Sequence, residues 1–197
     1  MAVSIKQVGP DDLTRYGEAP DNPFMVKRAL NVHLVADGLG GMVLREDEVA
    51  HPYRKGDDAP DEESLAAWAR EHDISKWGIF VAVAEDSVVG RAAAAFDTPA
   101  MNSLERRRDL AVLMDIRVLP AYRQQGIGSM LFRHAADWAR QMGCKQLKIE
   151  TENVNVPACR FYRRQGCTLR AIDRYAYAAC PEPEIATEAM LSWQLNL

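Results

Sequence analysis

Between Leu110 and Gln165 the chain switches repeatedly between two hydrophobic periods, and this restricts the folds open to it. Leu110–Val118 reads as an apolar strand. A helix is predicted from about Ile127 to Met142, with Ile127, Leu131, Ala135, Trp138 and Met142 on one stripe. Gln146–Thr151 reads as a strand again and Val156–Gln165 as a second helix. A strand followed by a helix and another strand points to a crossover connection, and so to parallel pairing within the sheet. The helix ends are written locally. Gly143 and Gly166 supply the left-handed residue that stops a helix. Asn155 is placed to cap the second helix, with Pro157 in its first turn, where a missing N–H matters least.

The flanking regions are read in the same way. Val3–Val8 is expected as a short strand, and Asn22–Leu39 as one or two helices because Phe24, Val26, Leu30 and Leu34 fall at helical spacing. Leu44–Glu63 is polar and acidic with Pro52, Gly56 and Pro60 as breakers, and is expected as a long loop. Asp61 would cap a helix over Glu62–Glu71. Two apolar runs, Gly78–Ala84 and Val88–Phe96, surround Glu85-Asp86-Ser87 in the pattern of a β-hairpin. Thr168–Ala178 and Ala186–Leu195 are expected as the last two strands.

With 197 residues, 48% hydrophobic and 26% charged, a single ordered domain over 1–197 is expected. A net charge of −4 works against recruitment of a nucleic-acid backbone. No apolar run reaches the roughly 18–20 residues that span a bilayer, and no signal-peptide layout opens the chain, so a cytoplasmic protein without membrane partners is expected. Cys144, Cys159, Cys167 and Cys180 show no C-x-x-C spacing and are read as reduced thiols. His33, His51, His72 and His134 lack metal-ligand spacing, so no metal is expected.

The most informative segment joins the Leu110–Val118 strand to the helix that follows: Leu119-Pro120-Ala121-Tyr122-Arg123-Gln124-Gln125-Gly126-Ile127-Gly128. Two glycines at a helix start let a ligand approach the main chain. The unpaired N–H groups and the positive end of the helix dipole favour an anion there, with a pyrophosphate as a suitable size. A bare Gly-x-Gly is equally compatible with an ordinary turn. A dinucleotide fingerprint would need a glycine at Leu131 and a turn directly after the strand, and no Gly-Lys-Ser/Thr follows for a phosphate loop.

The full string, Val118 followed by Arg123-x-x-Gly126-x-Gly128, resembles the acetyl-CoA motif of the GNAT acetyltransferase superfamily, and Glu150-Thr151, Asn155, Phe161-Tyr162 and Gly166 resemble that family's second half. The resemblance implies an α/β fold with a mixed, mostly antiparallel central sheet, splayed parallel strands and flanking helices. It also implies acetyl-CoA as cosubstrate. The strand backbone at Ile116, Arg117 and Val118 would carry the pantetheine, and N–H groups of Arg123, Gln124, Gln125, Gly126, Ile127, Gly128 and Ser129 would hold the pyrophosphate. Asn155 would hydrogen-bond the pantetheine as well as cap its helix. Closer similarity is to the streptothricin acetyltransferases, in Pro52-Tyr53-Arg54-Lys55 and in Asn155-Val156-Pro157-Ala158-Cys159 with Tyr162 after it.

Acetyl transfer to an amine needs a neutral nitrogen and a proton for the departing thiolate. An alkyl amine with a pKa of about 10.4 is almost wholly protonated at pH 7, so a base or water relay is useful. Glu150, at a strand end and twelve residues before Tyr162, resembles the base of ribosomal-protein acetyltransferases in the same superfamily. Tyr162 would be the acid, since a phenol stays protonated at neutral pH. Many relatives carry a carboxylate at the place of Met114. Asp115 stands beside it, but strand alternation sends Asp115 to the other face with Arg117 as an ion pair unless a bulge re-aims it. Glu150, Asp115 and a water relay are thus the candidate bases. The expected acceptor is a primary amine on a small molecule, streptothricin-like or lysine-like. A protein N-terminal or lysine acetyltransferase and a non-catalytic coenzyme-binding module are the rivals, and a homodimer is left open.

Overall fold

The computed structural model describes residues 2–9, 13–17, 23–56 and 65–197. In chain order its elements are β1 (Val3–Gln7), α1 (Leu13–Gly17), β2 (Phe24–Leu34), β3 (Met42–Lys55), α2 (Leu65–Glu71), β4 (Gly78–Ala84), β5 (Ser87–Ala95), β6 (Leu110–Val118), α3 (Ile127–Gln141), β7 (Gln146–Glu152), α4 (Val156–Arg164), β8 (Thr168–Asp173), α5 (Pro183–Ala186) and β9 (Met190–Asn196). They fall into two compact units. One comprises Met1–Asn22, Gly56–Ile149 and Leu195–Leu197, and the other Pro23–Lys55 and Glu150–Gln194.

In the first unit the strands run β1-β4-β5-β6 with antiparallel neighbours, and the opening residues of β7 add a parallel pair. All of β4, and β5 beyond Ser87, are buried. Such strands are covered on both faces, which is why they read as continuous apolar runs instead of alternating. One face packs under α1 and α2, in a core containing Tyr16, Leu65, Trp77, Ile79, Val81, Val83, Ala93 and Val112. The other carries α3, whose stripe of Ile127, Leu131, Phe132, Ala135, Trp138 and Ala139 is buried. Gly78 makes room for that helix, because a Cβ there would lie 2.5 Å from the Trp138 ring. The β4–β5 hairpin turns on Glu85 and Asp86, both at positive φ (48° and 64°), as a turn matched to strand twist requires.

Two features of β6 bear on function. Ala93 pairs with Asp115 while the next residue of β5, Ala94, pairs with Leu113, so Met114 is an extra residue and β6 is bulged there. The parallel register with β7 covers Leu110–Leu113 against Gln146–Ile149, and β6 then runs on through the bulge to Val118.

The second unit holds the β2–β3 hairpin, α4, the end of β7 and the antiparallel pair β8–β9. Here four expectations fail. The described part of Asn22–Leu39 forms no α-helix: β2 occupies most of it, followed by a short 3-10 turn at Ala36–Gly38. The register of β2 shifts between Val26 and Arg28, and this irregularity lets Val26 and Ala29, three residues apart, both be buried, which imitates a helical period in the sequence. Leu44–Glu63 is not a loop as far as Lys55, because β3 runs to that residue. The pairs Val26↔Tyr53 and Arg28↔Glu48 leave residues 49–52 outside the ladder, so Pro52 falls where no strand N–H is missed. The strand expected to Ala178 stops at Asp173, whose side chain accepts the Tyr175 N–H at 2.8 Å and starts a turn. The last strand begins at Met190, after Pro183 has opened the short α5. The expected cap Asp61 lies outside the described residues. Among those residues no helix is long and apolar enough to cross a membrane.

The molecule is thus α/β, with a mostly antiparallel mixed sheet, one parallel pair and flanking helices, as expected from the sequence.

Candidate active site

In the first unit, β6 leads through a short 3-10 turn, Pro120–Tyr122, to the start of α3. Arg123 is extended, Gln124 takes φ +61° and Gly126 φ +84°. A Cβ at Gly126 would meet nothing within 4 Å, so it is backbone conformation, not crowding by the protein, that selects glycine there. Two side chains pin the turn. Arg123 Nε donates to the Val118 carbonyl at 3.1 Å and Gln125 Nε2 to the Ala121 carbonyl at 3.2 Å. Met130 N–H donates to the Gly126 carbonyl at 3.0 Å, which closes the first turn of α3 on the glycine that precedes it. That is the arrangement a helix start offers an anion.

On β6 the bulge sets which way side chains point. Ile116 and Val118 pair with Ala92 and Gly90, on the face toward α3, where a Cβ on Gly90 would lie 3.2 Å from Leu131. Asp115 and Arg117 pair with Ala93 and Arg91, on the α1 face. There the Asp115 carboxylate accepts Tyr16 Oη at 2.6 Å, Arg91 Nε at 2.7 Å and Arg117 Nε at 2.8 Å. Asp115 makes the expected ion pair with Arg117, enlarged by a second arginine and a phenol that the sequence reading missed, but simple alternation is overturned: the bulge re-aims Asp115 to the side where its neighbour Met114 also packs, against the core that holds Tyr16. Burial, and then the Asp115 charge, hold the Tyr16 phenol well above its usual pKa.

In the second unit, Glu150 is exposed on β7 with Thr151 buried next to it. Asn155 caps α4, its Oδ1 accepting Ala158 N–H at 3.3 Å. Tyr162 lies on the buried stripe of α4 with Val156 and Cys159, and its ring meets Phe161 edge-on at 5.4 Å.

Sequence reasoning missed a polar cluster in this unit. Glu188, 2% exposed, accepts Tyr53 Oη at 2.6 Å and is ion-paired with Lys55. Lys55 Nζ also lies 3.3 Å from Glu152 and 5.9 Å from the Tyr177 ring centre. Burial and the hydrogen bond to Glu188 raise the Tyr53 phenol above its usual value, so it remains a donor. Asn153 ties the surrounding backbone together. Its carbonyl accepts Leu30 N–H at 2.9 Å and its Oδ1 accepts Ala189 N–H at 2.8 Å. The available signal was the Pro52–Lys55 stretch, but its assignment to a loop hid what it reaches.

Residues 42–167 match the family model described as Acetyltransferase (GNAT) family. The chain is 33% identical over 162 residues to a streptothricin acetyltransferase of Streptomyces lavendulae, covering 81% of this chain and 79% of that one. It is 30% identical over 176 residues to a streptothricin acetyltransferase of Escherichia coli, covering 88% and 85%. Among solved structures, nourseothricin acetyltransferase superposes with a TM-score of 0.73 at 26% identity over 100% of this chain and 99% of its own. A Bacillus anthracis protein crystallised in complex with acetyl coenzyme A shares the fold, with a TM-score of 0.73 at 23% identity over 100% of this chain and 98% of its own. With the glycine turn at the head of α3 and the bulged strand before it, these matches show that the chain belongs to the GNAT acetyltransferase family and is an acetyl-CoA-dependent N-acetyltransferase.

Proposed function

We propose that this enzyme acetylates a primary amine on a small cationic molecule, with a streptothricin-class antibiotic as the first candidate and lysine-like amines as the second. The observation that carries this reading is the 30–33% identity to two streptothricin acetyltransferases over more than four-fifths of the chain, well beyond the coenzyme motif. The polar cluster of the second unit supports it. Glu152 and Glu188 against Lys55 leave one formal negative charge beside two tyrosine rings, surroundings that favour an ammonium group over a neutral or anionic one.

In this reading the N–H groups from Arg123 to Ser129 hold the coenzyme diphosphate, and the backbone of Ile116–Val118 carries the pantetheine. Asn155 adds a side-chain contact to that arm. The bulge at Met114 interrupts the ladder, and strand backbone beside it would polarise the thioester carbonyl. Glu150 takes the proton from the acceptor nitrogen as that nitrogen bonds to the acetyl carbon. The C–S bond breaks, and the Tyr162 phenol gives its proton to the departing sulfur.

A free-thiol release assay with acetyl-CoA and three acceptors, streptothricin, lysine and an N-terminally free peptide, tests the reading. Release is expected fastest with streptothricin. Release with the peptide alone would move the acceptor to protein N-termini. Coenzyme binding without release from any acceptor would make the protein a binding module.

A further inference from the structure

We propose that Asp115 is a positioning residue for acetyl-CoA: together with Tyr16 it locks β6 immediately after the Met114 bulge, and so holds the Ile116–Val118 backbone in register for the coenzyme. The proposal rests on the reading above, in which that backbone carries the pantetheine.

A bulge is a soft point, because two residues oppose one and the ladder is broken between them. A slip of one residue beyond it would reverse the faces of Ile116, Arg117 and Val118. Asp115 is the first residue past the irregularity and is 9% exposed. Both its oxygens are committed, Oδ2 to Tyr16 and Arg91 and Oδ1 to Arg117. The two arginines stand directly opposite each other in the β5–β6 register, an unfavourable like-charge pair that the carboxylate between them neutralises. The lock reaches a second layer through α1. Tyr16 is 2% exposed and donates to Asp115 while its ring lies under the Arg91 guanidinium, 4.9 Å away. The carboxylate points to the α1 face, whereas Ile116, Val118 and the head of α3 lie on the other face of the strand. With both oxygens held by Tyr16 and the two arginines, the carboxylate is assigned a role through the backbone.

The test is steady-state kinetics of full-length Asp115→Asn and Tyr16→Phe with acetyl-CoA varied and acceptor saturating, run across pH. Calorimetric binding of 3′-phosphoadenosine 5′-diphosphate and thermal melts accompany it. In both variants KM for acetyl-CoA is expected to rise and kcat to fall, together by about one to two orders of magnitude in kcat/KM, the scale of a small misplacement. Affinity for the nucleotide fragment, which needs only the α3 turn, and the midpoints of the pH profile should match the unaltered enzyme. If Asp115→Asn fails to fold, Tyr16→Phe carries the test, since it keeps the ring and deletes one hydroxyl. Kinetics equal to the unaltered enzyme in the folded variants would overturn the proposal. So would a lost acidic limb in Asp115→Asn with Tyr16→Phe unaffected, which would make Asp115 the base, and so would equal loss of nucleotide-fragment binding, which would mark general disruption. Absence of acetyl-CoA binding by the unaltered enzyme would instead sink the reading on which the proposal rests.

Discussion

If Tyr162 is the proton donor proposed above, one atom separates that role from packing. Its place at three-residue spacing with Val156 and Cys159 is what any apolar side chain of an amphipathic helix would occupy, and Phe161 beside it is less buried. The hydroxyl is what a phenylalanine would lack. Tyr162→Phe is therefore expected to fold normally, to lower kcat about a hundredfold and to leave acetyl-CoA affinity unchanged, the pattern of a lost proton donor. Steady-state kinetics with a direct binding measurement check this, and unaltered turnover across pH would remove Tyr162 from the scheme. Neither Tyr16 nor Glu188 carries such a local signal. Each is an unremarkable letter in its own segment, and its importance comes from a partner far away in the chain.

At the scale of elements, what was legible followed a simple division. β6, α3, β7 and α4 were read almost to the residue because their determinants are local: periodicity, a cap at Asn155, and stop residues Gly143 and Gly166 at φ +80° and +90°. The β2–β3 hairpin was misread because its irregular register disguised a strand as a helix and placed a proline inside its partner. In the proposed scheme the glycine turn is the element that holds the coenzyme. Gly126→Ala would force an L-residue into φ +84°, at a cost of about 1–2 kcal/mol. Its methyl group would meet no protein atom, so most of the damage should fall on the ligand. The expected result is a modest fall in melting temperature and a much larger rise in KM for acetyl-CoA. A variant that loses stability alone would detach the turn from the coenzyme.

At the scale of the whole molecule, the buried ionisable groups set a pH limit. Burial pushes the Cys159 and Cys167 thiols up to about 12 and Cys144 up to about 11. An unfolded thiol ionises near pH 8.5, so between there and pH 11–12 the unfolded chain has released protons that the fold retains. Stability from these groups is complete below about pH 8.5 and declines as the pH rises toward the folded values. The buried Tyr16 phenol acts in the same direction. Urea unfolding between pH 7 and 10.5 should show a falling midpoint, with a shallower slope in Cys159→Ala. A flat profile would show that these thiols do not couple folding to pH.

By itself the sequence determined the strand, turn and helix of the proposed coenzyme site, since a helix start with its glycines is specified by residues within one or two turns of each other. Tertiary structure alone decided that β6 bulges at Met114, that Asp115 is anchored by a tyrosine 99 residues away, and that Tyr53 meets a glutamate 135 residues away. The reason lies in what sets each feature. Backbone conformation and periodicity are properties of neighbours in sequence, whereas register and buried ion pairs depend on which distant strands and loops the fold brings together.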